Sequence, residues 1–356
     1  MKLLKPTRLA LIAAACLPLA GFAQSNVTIY GVADAALRFG NGLDGGNAAS
    51  AGSSQAITSG TNTTSRLGWR GTEDLGGGWR ATFNFESGLN LQTGATASST
   101  KFFDRASVIG LSGPWGGVTL GRQTTVLADA VGPVDPLGSR FASFNPNVAV
   151  AGLSAPRLGI EYGPAGSSSG SYRLDGSIKY AVTLDKLRLS AMTTYAEKPS
   201  TSKLGSSGVG ALYDAGDWQA TLAYAEFRSA TNLKLTGTMG GVSAKVGPVT
   251  LKASYGQSTA NTSATAKTEH DTAGLGVVWP LTPQIDLIAT HYKVDRSRTG
   301  QADDGFNRSI AFLEYKLSAR SLVYLEADST RWRGLYQGAG NKSTATGASL
   351  GIKHTF

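Results

Sequence analysis

Three histidines, His270, His291 and His354, are the only imidazoles in the 356-residue chain, so a histidine-based hydrolytic site must be built on one of them. Such a site needs a nucleophile, a base within hydrogen-bond reach and a group that orients the base. His354 lies two residues from the C-terminus, in phase with Ile352 and Phe356. His270 follows a polar stretch and is expected near a rim, while His291 sits in a poorly phased segment. No serine-rich nucleophile turn accompanies any of the three. The single cysteine, Cys16, lies in the N-terminal apolar run, so the rest of the chain offers no disulfide and no thiolate metal site. The sequence therefore asks for no metal and no cofactor. What remains is charge on one face of a strand. Arg66 and Arg70 share a face opposite Leu67 and Trp69. Arg173 shares one with Asp175, Ser177 and Lys179, opposite Leu174, Ile178 and Tyr180.

Period-two alternation positions such charges, and it recurs along the chain. In residues 79–86, Trp79, Ala81, Phe83 and Phe85 oppose Arg80, Thr82, Asn84 and Glu86. In residues 186–195, Leu187, Leu189, Ala191 and Tyr195 oppose Lys186, Arg188, Ser190 and Thr194. Residues 218–224 and 249–255 behave alike. A soluble sandwich would also alternate. Three features point instead to a membrane barrel. The strands run about 10–13 residues, as tilted membrane strands do, where soluble strands average about 5–6. Aromatics such as Trp79, Tyr195, Trp218, Tyr224, Trp279 and Trp332 sit near strand ends. Short connections alternate with long ones, the long ones being residues 39–62, 92–101 and 124–172. The count is even, about sixteen strands, which encloses an aqueous lumen. Residues 284–295 and 321–332 alternate poorly.

Composition agrees. Glycine is high at 46 residues and charge is low at 16%. No segment after Ala23 offers the run of apolar residues that a membrane helix needs. The first 23 residues read as an export signal: Lys2, Lys5 and Arg8 precede an apolar stretch over 9–20, and Gly21-Phe22-Ala23 supplies small residues at a cleavage site. Cleavage there takes the 33 basic residues to 30 against 24 acidic ones, a net charge of about +6. The charges are scattered, which excludes the clustered footprint of a nucleic-acid binder.

Residues 124–172 are too long for an ordinary loop. They carry Phe141, Phe144, Val148 and Val150, which a loop in water would not need. The expectation is that this segment folds into the barrel and narrows the passage. The alternative is packing on a neighbouring subunit.

Five stretches resemble the trimeric general porins of Gram-negative bacteria, of the β-proteobacterial branch. Asn26-Val-Thr-Ile-Tyr-Gly-Val-Ala-Asp34 is similar to that family's first strand. Ser65-Arg-Leu-Gly-Trp-Arg-Gly-Thr-Glu-Asp-Leu-Gly-Gly-Gly78 is similar to its second strand and first turn. Gly117-Val-Thr-Leu-Gly-Arg-Gln123 resembles the strand leading into the third loop, and Arg173-Leu-Asp-Gly-Ser-Ile-Lys-Tyr180 the strand leaving it. Gly351-Ile-Lys-His-Thr-Phe356 resembles the terminal strand, whose last aromatic the barrel-assembly machinery recognises.

The resemblance implies an all-β barrel of sixteen antiparallel strands, a homotrimer set in outer-membrane lipid and lipopolysaccharide. It implies a water-filled passage for small hydrophilic solutes and anions, and no enzyme. It places a constriction at Arg66, Arg105 and Arg173 with Glu86, and a subunit contact at Arg122. Arg70, Arg80, Lys179 and Arg188 add lumenal charge by parity. Facing acids are expected on the third loop, at Asp129, Asp135 or Glu161. The usual acid-rich tip is replaced by Asp135-Pro-Leu-Gly138, and Arg140 and Arg157 lie nearby. A substrate-selective anion channel, an outer-membrane enzyme and an adhesin are the alternatives.

Overall fold

The computed structural model describes residues 26–142, 144–151, 172–194, 205–228 and 232–356. The expected signal, residues 1–23, lies outside the described residues, as do Glu161, Arg157 and Tyr195. Strands follow one another in chain order: β1 (Asn26–Leu43), β2 (Ala49–Ser59), β3 (Arg66–Gly76), β4 (Trp79–Gly88), β5 (Ala106–Gly113) and β6 (Gly116–Thr124). Two helices come next, α1 (Val126–Val134) and α2 (Pro146–Ala151). Then come β7 (Arg173–Leu184), β8 (Leu187–Thr194), β9 (Gly205–Asp214), β10 (Trp218–Arg228), β11 (Lys234–Val246), β12 (Val249–Asn261), β13 (Lys267–Pro280), β14 (Ile285–Arg298), β15 (Gln301–Lys316), β16 (Ser321–Arg333) and β17 (Thr344–Thr355).

Each strand pairs antiparallel with its neighbours, and β1 pairs with β17, which closes the barrel. Seventeen stretches fill sixteen wall positions because the second position is broken. The upper half of β1 pairs with β2, from Ala35 opposite Ser59 upward, and its lower half pairs with β3, from Asn26 opposite Thr72 to Val32 opposite Arg66. Residues 60–65 interrupt that wall position and turn inward, where Thr61, Asn62 and Ser65 are buried. Residues 39–62, expected as a loop, are largely the β1–β2 hairpin. Their Ala, Gly and Ser side chains hide the alternation that marks a strand.

The faces of the wall are chemically opposite. Leu222, Tyr224, Leu251, Leu275, Leu313 and Leu325 point outward and are exposed. Only lipid or another subunit makes such a belt tolerable. Aromatic contacts ring the short-turn end, with Trp79 6.0 Å from Trp115, Trp115 stacked 5.8 Å from Tyr180, and Tyr213 5.0 Å from Trp218. Phe356 joins this end, and its ring fills the space a Cβ at Gly31 would need, 2.4 Å away.

The described part of residues 124–172 lies against inward-facing side chains. Thr125 caps α1 through its hydroxyl and the Ala128 N–H. Val126, Leu127, Ala130 and Val131 pack on Ala223, Ala225, Phe227 and Met239. Beyond α1, Phe141 and Phe144 pack on Ile288, Tyr292, Phe312 and Tyr324. This explains the poor alternation of β14, whose inward Ile288, Tyr292 and Val294 lie in the same cluster as the loop's phenylalanines instead of in water; on β16 the inward face mixes Tyr324 and Trp332 with Glu326, Asp328 and Thr330.

Candidate functional site

The throat of the barrel is a cavity of about 410 Å³. The wall contributes Arg66 at the start of β3, Arg105 just before β5, Thr124 at the end of β6, Arg173 at the start of β7 and Lys353 on β17. The broken wall position contributes Thr63 and Thr64. The long loop closes the ring with Ala128, Val131, Ser139, Arg140, Val148 and Tyr172. Strand ends therefore carry the three arginines, where the wall gives way to loops and long side chains reach the axis.

Glu86 organises this side. One carboxylate oxygen accepts from Arg105 Nε at 2.6 Å, and the other accepts from the Tyr30 hydroxyl at 2.9 Å and lies 3.4 Å from Arg66 Nε. Tyr172 lies beside Arg173, with the guanidinium 4.1 Å from its ring centre. Burial alone would raise the Tyr172 pKa, but Arg173 and Arg105 both donate to its phenol oxygen and hold it below the ordinary tyrosine value. Arg70 stands over the ring of Tyr30, 4.8 Å away, on the same inward face.

The loop acids are placed differently from the expectation. Asp129 on α1 reaches the lumen and pairs with Lys179 at 2.7 Å. Lys179, Arg188 and Asp129 border a second cavity of about 310 Å³ behind α1. Asp135 does not face the passage. It is fully buried and accepts from Tyr292 at 2.5 Å, Asn145 at 2.8 Å and Asn147 at 2.9 Å, so it holds the loop together. No carboxylate borders the throat among the described residues, while five bases do. The two acids that touch those bases are Glu86 and Glu314, the latter 2.5 Å from Arg140. That leaves an excess of about three positive charges.

Sequence reasoning missed Arg140 as a throat residue, along with Tyr172 and the shelf at residues 60–65. Parity says nothing about side chains on loops. Arg80 sits exposed near the short-turn end.

Asp175 does not share the lumen with Arg173. The β6–β7 register shifts beside it, and Gly121, at φ +121°, leaves only 2.1 Å between a would-be Cβ and the Ser107 carbonyl oxygen. Asp175 turns to the outer face, where it pairs with Arg122 at 2.5 Å and contacts Lys101. Arg122 also donates to the Asp104 carbonyl at 2.5 Å. The chain thus supplies its own carboxylate to the outward arginine. The histidines are scattered. His270 lies three residues inside the loop end of β13, buried on the inward face against Tyr336. His291 and His354 face outward against Ser309 and Ser321, at 2.9 and 2.8 Å.

A sequence profile of the Gram-negative porins matches residues 9–335. This chain belongs to that family. It is similar to an outer membrane porin protein of Bordetella pertussis, 29% identical over 97% of this chain and 99% of the relative. Its fold is similar to that of an anion-selective porin from Comamonas acidovorans, with TM-score 0.76 and 22% identity over 94% of this chain and all of the other. It is also similar to the trimer form of OmpT of Vibrio cholerae, with TM-score 0.66 and 16% identity over 93% and 99% of the two chains. The porin is an outer-membrane channel, and its strands, rather than helices, cross the bilayer.

Proposed function

We propose that this porin is an anion-preferring passage for small hydrophilic solutes, narrowed by residues 124–172. The observation that carries the reading is the throat bordered, among the described residues, by five bases and no carboxylate. Guanidinium stays charged at any physiological pH and offers several donors, so neighbouring arginines can pass a carboxylate or phosphate along without trapping it. In a narrow throat such charges are poorly screened within about 8–10 Å at physiological salt. Arg66, Arg105 and Arg173, braced by Glu86, form the wall side; Arg70, Arg80, Lys179 and Arg188 supply lumenal charge on either side. Among the loop acids in the described residues, Asp129 is the one that can oppose them.

The porin works as a homotrimer in outer-membrane lipid and lipopolysaccharide, after cleavage of residues 1–23. The outward patch of Phe102, Ile109, Leu111 and Leu120 supports a subunit contact beside Arg122. Phe356 serves the assembly machinery. The scattered histidines favour a channel over an enzyme.

The test is a reversal potential in a planar bilayer across a KCl gradient. Wild type should prefer chloride. Arg66, Arg105 and Arg173, each changed to Ser, should lower the chloride-to-potassium ratio by at least about two-fold, the effect of one charge about 8 Å away in a water-like medium. A cation-selective wild type, or three silent substitutions, would overturn the reading.

A further inference from the structure

The outward wall is not apolar throughout. From β13 to β16 the strand register lines the outward side chains up in rows. The row nearest the short turns holds Trp279, Leu287, Leu313 and Leu325. A second row, nearer the end that carries residues 124–172, runs from Tyr255 on β12 through Ala273, Lys293, Asn307 and Arg331. Tyr255 is an interface aromatic; farther along its row, on β14 and β16, cations stand instead. Between the two rows Ala289, Ala311 and Ala327, then His291, Ser309 and Ser329, leave a groove of about 670 Å³ in the lipid-facing belt, bounded on one side by Leu251 and Leu275. His291 Nδ1 lies 2.9 Å from Ser309 Oγ, so the polar end of the groove is satisfied from within. The groove lies on other strands than the outward patch beside Arg122.

We propose that this groove seats one outer-leaflet glycolipid with two phosphates on its sugar head, an acyl chain lying along the alanines and the phosphates meeting Lys293 and Arg331. This rests on the reading above of a homotrimer set in lipopolysaccharide. The side of the membrane comes first: the cations stand toward the long-loop end, which faces outward. Charge is the second argument. Lys293, 57% exposed, Arg331 and Arg333 outnumber Asp295, which pairs with Lys293 at 2.9 Å and with Arg333. Asp271, opposite Asp295, is already engaged by the Tyr255 hydroxyl at 2.6 Å and Gln257 Nε2 at 2.9 Å. Spacing is the third. Lys293 and Arg331 are two strands apart, about 10 Å, which suits two phosphates on one sugar head better than the single phosphate of a phospholipid. Every lipid in a bilayer offers acyl chains, so the groove supplies fit by packing and the phosphates supply the preference.

The test uses the purified channel in detergent, stripped of bound lipid, with lipid retention read by native mass spectrometry. The probes are bisphosphorylated lipid A and its monophosphorylated form, which carry the same acyl chains. Wild type should retain the bisphosphorylated form at about five-fold lower concentration, the effect of one charge pair about 4 Å apart in a water-like medium. Arg331→Ser should remove that preference. Ala327→Leu fills the groove beside Leu325 and Leu350, which already face outward, and should weaken retention of both forms. Heat-modifiable migration on a gel reports whether each variant is assembled, and Lys293→Ser or Ala311→Leu replaces one that is not. Equal retention of the two forms by wild type, or variants that retain them as wild type does, overturns the proposal. Paired assemblies that vanish in Ala327→Leu assign the groove to a second copy and overturn it as well. A mass of one chain alone overturns the trimer reading and leaves the groove standing, since each chain builds it by itself.

Discussion

Two groups of inward arginines do opposite jobs in this barrel. Arg38 on β1 donates to Glu326 at 2.9 Å, Asp328 at 2.7 Å, Ser349 at 3.1 Å and Asn47 at 2.7 Å. Arg308 on β15 donates to Thr330 at 2.9 Å and to the Phe144 carbonyl at 2.6 Å, with its guanidinium 3.5 Å from the Phe144 ring centre. Their charge is answered by carboxylates and aromatic faces, and they rivet the long loop to the far wall. Arg173 is just as buried, yet its Nε has no partner and its side chain borders the throat. An inward arginine is thus a rivet or a ligand according to the donors its neighbours leave free.

The comparison predicts unequal damage. Arg38→Ala leaves Glu326 and Asp328 buried without their cation. Removing one partner of a buried ion pair costs about 3–5 kcal/mol. The temperature at which the barrel loses its folded gel migration should fall by many degrees. Arg66→Ser should lower it far less, because Glu86 keeps Arg105 and Tyr30. Equal shifts in the two variants would erase the distinction.

Arg122 tests a third setting, on the outside. Its guanidinium is neutralised by Asp175 and lies under a patch that another subunit can cover. A cation left facing lipid near mid-membrane would cost about 2–4 kcal/mol. Arg122→Ala should lower the temperature at which trimers dissociate, by less than Arg38→Ala lowers unfolding, with little change in conductance per pore. A large change in conductance with unchanged trimer melting would place Arg122 on the wrong face.

The wall was legible in the sequence wherever one strand face meets lipid and the other meets water. Trp218 to Tyr224 and Val249 to Tyr255 are such cases, and there parity alone assigns the inward side. It failed in two ways. On β14 the lumen is filled by Phe141 and Phe144, so Ile288 and Tyr292 are apolar on the inward face, and on β16 the inward face mixes Tyr324 and Trp332 with Glu326 and Asp328, so the period disappears. At Asp175 a bulge reverses the side that parity assigns. The throat was half legible. Arg66 and Arg173 follow from strand phase, while Arg140 and Tyr172 sit on a loop whose path is set by contacts distant in sequence. Asp135 shows the same gap in reverse. Its acidity suggested a lumenal role, but Tyr292, Asn145 and Asn147 converge on it and only the fold brings them together.

The finest test of the throat is its response to alkali. Tyr172 is held below the ordinary tyrosine pKa of about 10 because Arg173 and Arg105 stabilise its anion more than burial opposes it. Raising the pH from neutral should therefore ionise Tyr172 before a free phenol. One negative charge then appears among Arg66, Arg105 and Arg173, with Glu86 already present. The excess of about three positive charges drops by one, and the chloride-to-potassium ratio should fall about two-fold. Lys353 also borders the throat and loses its charge in alkali, so a fall by itself does not identify Tyr172. Tyr172→Phe separates the two. If Tyr172 titrates, the Phe variant loses the first part of the fall and keeps only a later one. If both channels fall together, Tyr172 stays neutral and Lys353 is the group that responds.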